Sequence, residues 1–331
     1  MLIPDYWAEA RKQHRFGNRQ ITVRRFGWSV VSEADAVAMA ESRAETALRR
    51  LCSGEKLERR EQKIAYNGAF GLPIREEVLS RHGEEVITRN SYGAHCLNTP
   101  RAVFADIDFS DKPSTKQFFT TFVLLIVSLL ATYLALASDC YKNWSSALGL
   151  LFLSCFFIAP LSIYLHRIAL IIQGGHEQIS RKRLHAFLSE YPTWNVRLYR
   201  TPGGLRLLAT HQLFQPSHHE VQKFFSSIGA DPIYVRMCQN QQCFRARLTA
   251  KPWRIGIGVH MRPRPGVWPV RPDMLSIREK WIAEYERSAR SYAACHFVGV
   301  FGSGVVHHEI DAIIELHDRE ARANKLSLPI A

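Results

Sequence analysis

Three rhythms of apolar and polar residues run along this chain. Strict alternation, which sends successive side chains to opposite faces of a strand, marks "RQITVRRF", "KIAYNG", "EEVITRNSYG", "RAVFADIDF" and "HFVGVF". "WNVRLYRTPGGLRLLATH" predicts a hairpin turned by Pro202, Gly203 and Gly204, and "IYVRMCQNQQCFRARLT" predicts a second hairpin. A spacing of three and four predicts helices. The clearest runs from Ser32 to Gly54, with Ser32 as N-cap, Val37, Ala40, Ala44, Leu48 and Leu51 as the apolar stripe, and Gly54 beyond the end. "PIREEVLSRHG" opens on Pro and closes on Gly, which predicts another helix. Further helices are expected over "EQISRKRLHAFLSEYP", over "EVQKFFSSIGAD", from Ser276 to about Tyr292 and from about His307.

The third rhythm is no rhythm at all. Phe118–Ser138 and Trp144–Leu165 are uncharged throughout, and "FVLLIVSLLATYLALA" is apolar on every side, where a helix buried in a soluble core keeps a polar face. At about 1.5 Å per helical residue each run matches the ~30 Å hydrocarbon core of a bilayer. Asp139 and Lys142 lie in the short connector between them. The runs therefore predict a transmembrane hairpin. Lys112 and Lys116 before it, and His166, Arg167 and Arg181–Lys182–Arg183 after it, predict both termini in the cytoplasm. The opening "MLIPDYWAEARKQHR" lacks the apolar core of a signal peptide.

These elements sum to an α+β fold with a mainly antiparallel sheet, one cytoplasmic domain interrupted by the hairpin. The expected divisions are a first cytoplasmic half at 1–116, spans at 117–138 and 144–166, an external turn at 139–143, and a second half at 167–331 that packs with the first. Composition adds a strong positive balance. Net charge is +13, and 32 of the 43 basic residues are Arg. Arg favours planar, bidentate recognition of phosphate and carboxylate, which points towards nucleotides, nucleic acid or anionic lipid headgroups; genomic base composition produces the same bias. The seven cysteines suggest no disulfide framework, and Cys238 and Cys243 stand wider apart than a zinc knuckle. Neither span holds an ionisable residue before His166, so the hairpin reads as an anchor rather than a transport path.

The sharpest chemical signal is the pair Asp106 and Asp108. Alternation puts both carboxylates on one strand face, where they need solvent, a proton, a cation or neighbouring arginines. A hard divalent ion, Mg²⁺ or Mn²⁺, suits this pair and recruits phosphate oxygens to its remaining positions; salt bridges to arginines are the other solution. Candidate phosphate-binding residues follow in the hairpin, with Arg200, Arg206 and His211 around the turn at Gly203 and Gly204. A second group comprises Arg245 and Arg247 at period two, with Lys251 and Arg254 behind.

A D-x-D strand followed by a helix, a strand–Gly-Gly–strand hairpin carrying Arg or His, and then a basic strand resembles the archaeo-eukaryotic primase (prim-pol) superfamily. The resemblance covers Val103–Phe109 and Val196–His211. It implies a metal held by Asp106 and Asp108, phosphate contacts from Arg206 or His211, and nucleotidyl transfer on nucleotide or nucleic acid. The family's hairpin His is Arg206 here, and a third carboxylate is not assignable. The whole chain also resembles two-span proteobacterial membrane proteins, which implies the bacterial inner membrane as its location. The alternative function is a non-catalytic, membrane-anchored module whose arginines hold a protein partner or anionic lipid and whose aspartates form salt bridges. Near the C-terminus, "VGVFGSGVVHHEID" reads as a strand–turn–helix, with Gly302–Gly304 as an alternative phosphate loop. Glu309 and Asp311 would stand about 200° apart on that helix, too far round to share a metal.

Overall fold

The computed structural model describes residues 1–17, 19–59, 61, 72–136, 144–264, 266 and 268–331. The expected strand "KIAYNG" and the expected external turn at 139–143 lie outside the described residues. The fold is α+β, with antiparallel sheets. The chain opens on a hairpin not expected from its pattern, β1 (Tyr6–Phe16) antiparallel to β2 (Arg19–Ser29), with helix α1 (Glu33–Cys52) packed on it. Ser32 caps α1 by accepting from the Asp35 N–H at 3.1 Å.

The buried face of α1 is rotated from the expected stripe. Ala36, Ala40, Ala44 and Ala47 face inward, whereas Val37 is 42% exposed. Close approach explains the choice: a Cβ on Gly27 of β2 would lie 2.2 Å from both Ala36 O and Ala40 N. Only small residues fit on both sides of that contact.

Four short strands follow: β3 (Glu77–His82), β4 (Glu85–Arg89), β5 (His95–Thr99) and β6 (Phe104–Asp108). Three helices come next, α2 (Thr115–Leu136), α3 (Trp144–Ile172) and α4 (Gly175–Glu190). The rest of the chain forms β7 (Asn195–Thr201), β8 (Gly204–Ala209), α5 (His219–Ile228), α6 (Pro232–Gln241), β9 (Phe244–Arg247), α7 (Leu275–Ala289), β10 (His296–Gly302) and α8 (His308–Ala321).

Two of these elements correct the sequence reading. "PIREEVLSRHG" forms strand β3, not a helix. Gly83, at φ +64°, makes the two-residue turn that pairs His82 with Glu85, so the glycine closes a hairpin instead of capping a helix. The first limb of the expected second hairpin is helix α6. Asp231 accepts from the Ile233 N–H at 2.9 Å with Pro232 at the first turn, and Tyr234, Met237, Cys238 and Gln241 are buried at helical spacing.

Both four-stranded sheets join strands from before and after α2–α3. One has the order β3-β4-β5-β9 and the other β10-β7-β8-β6. Trp194 packs beside the second, with the rings of Phe187, Phe214 and Phe224 each 4.9 Å away between centroids. The chain divides into two compact units, one of residues 1–107 with 186–331, and the other Asp108–His185. In the second unit α2 and α3 pack against each other. The helix direction turns by 61° after α3, at Gly174 and Gly175, both with positive φ. Thr115–Thr132 of α2 is long and apolar enough to cross a membrane, and Phe156–Ile172 with Gly175–Glu190 meets the same test as one bent pair.

Candidate functional site

Asp106 points from β6 onto β8, and Arg206 meets it there. Arg206 Nε donates to Oδ1 at 2.8 Å and Nη2 to Oδ2 at 3.0 Å, a bidentate pair with Arg206 only 2% exposed. Arg206 Nη1 donates to Arg247 O at 2.7 Å, and it lies 3.4 Å from His317 Nε2. His317 Nδ1 is 2.9 Å from Asp318 Oδ1, and Asp318 Oδ2 accepts from Arg197 Nη2 at 2.8 Å. Arg197 Nε in turn reaches Tyr199 Oη at 3.0 Å. A chain of polar groups thus crosses the sheet between β6 and α8.

Burial and charge decide the protonation states along this chain. Burial favours a neutral Arg206, but Asp106 beside it more than offsets this and holds the guanidinium above its ordinary pKa. Burial lowers the His317 pKa against the pull of Asp318. The neutral imidazole then donates from Nδ1 to Asp318 and accepts at Nε2 from Arg206, which satisfies both ring nitrogens. Burial alone would raise Asp318, yet the hydrogen bond from His317 and the charge of Arg197 bring it below the ordinary carboxylate range.

The carboxylate expected to hold a cation is therefore committed to a guanidinium. Asp108, the last residue of β6, is exposed. The expected phosphate ligands do not converge either. Arg200 is exposed at the end of β7, while Arg206 points into the sheet. His211 lies beyond the far end of β8 from the Gly203–Gly204 turn, about 20 Å away at ~3.3 Å per strand residue. Its ring packs on Trp194 at 4.6 Å, and burial lowers its pKa to about 4.

The basic strand β9 is likewise turned inward. Arg245 is buried and ion-paired with Glu76, which also accepts from Thr88 Oγ1 at 2.7 Å. Arg247 donates to Thr249 O and, at 3.1 Å, to Ala331 O. Glu77 pairs with Arg278 at 2.8 Å and with Arg89 at 3.2 Å. Lys251 lies 5.5 Å over the Trp253 ring, and Arg254 is exposed in a 3₁₀ turn. Gly302–Gly304 forms a closed turn: the Ser303 N–H donates to Trp194 O and the Gly304 N–H to Asn195 Oδ1, each at 2.9 Å.

Among the described residues His307, His308 and Glu309 bring three potential metal-ligand atoms within 4.8 Å of one another. The chemistry there is unfavourable to a cation. His307 Nδ1 caps α8 by accepting from the Glu309 N–H at 3.3 Å, Glu309 pairs with Arg101 at 3.1 Å, and the helix N-terminus carries positive partial charge.

An outward-facing basic surface lies on the Pro- and Arg-rich segment after β9. A groove of about 610 Å³ has Val259, Met274 and Ile277 as apolar lining and His260, Arg262 and Arg264 as polar lining. From Lys251 to Met274 the one acidic residue is Asp273, which pairs with Arg271 at 2.8 Å. The sequence shows this segment as a basic loop; its groove depends on Met274 and Ile277 folding back beside it.

No protein-family model matches the chain, and no match was found among curated proteins or solved structures.

Proposed function

We propose that this protein is a membrane-anchored, non-catalytic α+β module that receives an acidic, apolar segment of a partner protein. The observation that carries the non-catalytic reading is the Asp106–Arg206 pair. A carboxylate already neutralised by a buried bidentate guanidinium offers a divalent cation little, and Arg245, tied to Glu76, is turned away from any phosphate.

The anchor is the α2–α3 hairpin, placed in the bacterial inner membrane with both termini cytoplasmic. Support comes from the apolar residues these helices leave outward, among them Phe119 at 64%, Leu124 at 62%, Phe156 at 64% and Phe157 at 57% exposure. An apolar surface of this kind has no stable place in water. Lys112, Lys116, Arg167, Lys182 and Arg183 are exposed at the flanks of the hairpin, which supports the cytoplasmic side by the positive-inside rule.

The partner's chemistry follows from the lining of the groove: apolar side chains against Val259, Met274 and Ile277, and carboxylates against Arg262 and Arg264. The test uses the full chain in detergent micelles with a fluorescent peptide of alternating Glu and Leu. Binding that weakens about tenfold in Arg262→Glu with Arg264→Glu, and with added salt, is the expected result. Mg²⁺-dependent nucleotide binding that disappears in Asp106→Asn with Asp108→Asn would replace this reading with the metal one. Release of the chain from membranes by an alkaline carbonate wash would remove the anchor.

A further inference from the structure

The two four-stranded sheets present four edges, and three are defended. At β6, Tyr234 Oη donates to Phe104 O at 2.8 Å and the Asp231 N–H donates to Asp106 O at 3.3 Å. At β9, four residues long, the Arg245 N–H donates to Tyr234 Oη at 3.2 Å and Arg247 O accepts from Arg206. The edge strand β3 carries Glu77 and Arg81, with a bulge between Val78 and Ser80. Cover, shortness, charge and bulges are the means by which proteins keep sheet edges from pairing.

The β10 edge lacks them over most of its length. No residue from Phe297 to Val306 is formally charged. Val298, Val300, Val305 and Val306 are 39%, 47%, 54% and 40% exposed. The Phe297 N–H is taken by Ala323 O at 2.9 Å, and the bulge between Phe297 and Gly299 ends before Val300. The Ser303 N–H donates inward to Trp194 O. By antiparallel alternation the backbone groups of Phe301 also face β7, and those of Val300 and Gly302 face outward. Among the described residues no hydrogen bond reaches that outer side.

We propose that β10 pairs antiparallel with β10 of a second copy of this chain, joining two four-stranded sheets about a two-fold axis near Val300. Charge matching selects the occupant. Among the described strands only β5 and β10 have no formally charged residue, and β5 is interior to its sheet. A strand set against Val298–Gly302 removes most apolar surface from water when its own exposed residues are uncharged and apolar over the same length, as Val298 and Val300 of β10 are. The two-fold sets the outward N–H and C=O of Val300 against those of Val300 in the second copy, and brings Gly302 opposite Val298 of that copy. Such pairing consumes both open edges and closes the assembly at two chains.

The test uses the full chain in detergent micelles, by sedimentation velocity over a concentration series. The expected result is a concentration-dependent dimer that Val300→Lys weakens about tenfold or more, because like charges then face each other across the pair, while the thermal melt of the dilute monomer stays that of wild type. Val300→Cys, close to valine in size, is expected to form a disulfide-linked dimer on oxidation. Amide exchange at Val300 and Gly302 should be slow in the wild-type dimer and fast in Val300→Lys. A chain that stays monomeric throughout overturns the proposal. So does a dimer that Val300→Lys leaves unchanged, or one that Val300→Cys does not link.

Discussion

Asp106 and Arg206 lie one hundred positions apart and meet in a bidentate ion pair at 2.8 and 3.0 Å, on neighbouring strands that flank the α2–α3 segment in sequence. Removing the carboxylate leaves a buried guanidinium without its counter-charge. Asp106→Ala is expected to lower stability by about 2–4 kcal/mol, at the low end for a broken buried pair because Asp106 keeps some solvent. Replacing both partners, Asp106→Leu with Arg206→Met, should recover most of that loss. Denaturant unfolding of the full chain in detergent reads both; a single variant as stable as wild type would remove the pair from the architecture.

Depth separates two other arginine–carboxylate pairs. Glu76 and Arg245 are 3% and 8% exposed at their side chains, whereas Arg271 and Asp273 are 76% and 63% exposed. Glu76→Ala should cost about 3–5 kcal/mol, because it strands Arg245 and also removes the acceptor of Thr88. Asp273→Ala should change stability by less than about 1 kcal/mol. The same unfolding measurement compares them, and equal losses would mean that burial does not set the difference.

His211 gives the fold a pH dependence with a definite sign. Its pKa falls from an ordinary 6.5 to about 4 because burial beside Trp194 disfavours the imidazolium. The folded form therefore prefers the neutral ring. Its contribution is complete above pH ~6.5 and is lost as the pH falls towards ~4. His211→Leu should show a smaller drop in melting temperature between pH 7 and pH 4.5 than wild type. Buried His317 acts in the same direction and remains in the variant, so the dependence should shrink without vanishing. An unchanged pH profile would mean that the ring titrates as if exposed.

Gly27→Ala tests the contact between β2 and α1. Its Cβ would meet backbone at 2.2 Å, which no rotamer change relieves. Overpacking of this kind costs about 1–3 kcal/mol or more, and α1 would have to move off the β1–β2 hairpin. Amide exchange should then rise in β1, β2 and α1 while β7 and β8 stay protected; uniform protection would place the tight contact elsewhere.

Local chemistry made much of the fold legible. Ser32 caps α1, the Pro202–Gly203 turn joins β7 to β8, and the helix expected from about His307 begins at His308. The misreading of β3 has a tertiary cause. "PIREEVLSRHG" has helix punctuation at both ends, but Glu76 and Glu77 find their partners in Arg245 and Arg278, 169 and 201 positions away, and those pairs favour a strand beside β4. Burial by contact with a distant element overrides a weak local preference.

The same boundary divides the candidate site. Alternation and spacing by themselves determined that Asp106, Arg206, Arg245 and Arg247 lie on strands, and that the uncharged runs around them form helices. The direction in which those charges are spent was decided by tertiary structure alone. Opposite charges taken out of water are stable mainly against each other. The sheet sets Asp106 against Arg206 and Glu76 against Arg245, while Arg262 and Arg264 stay at the surface. A row of arginines reads alike in sequence whether it grips a ligand or its own fold; the neighbours that distinguish the two arrive only when distant strands pair.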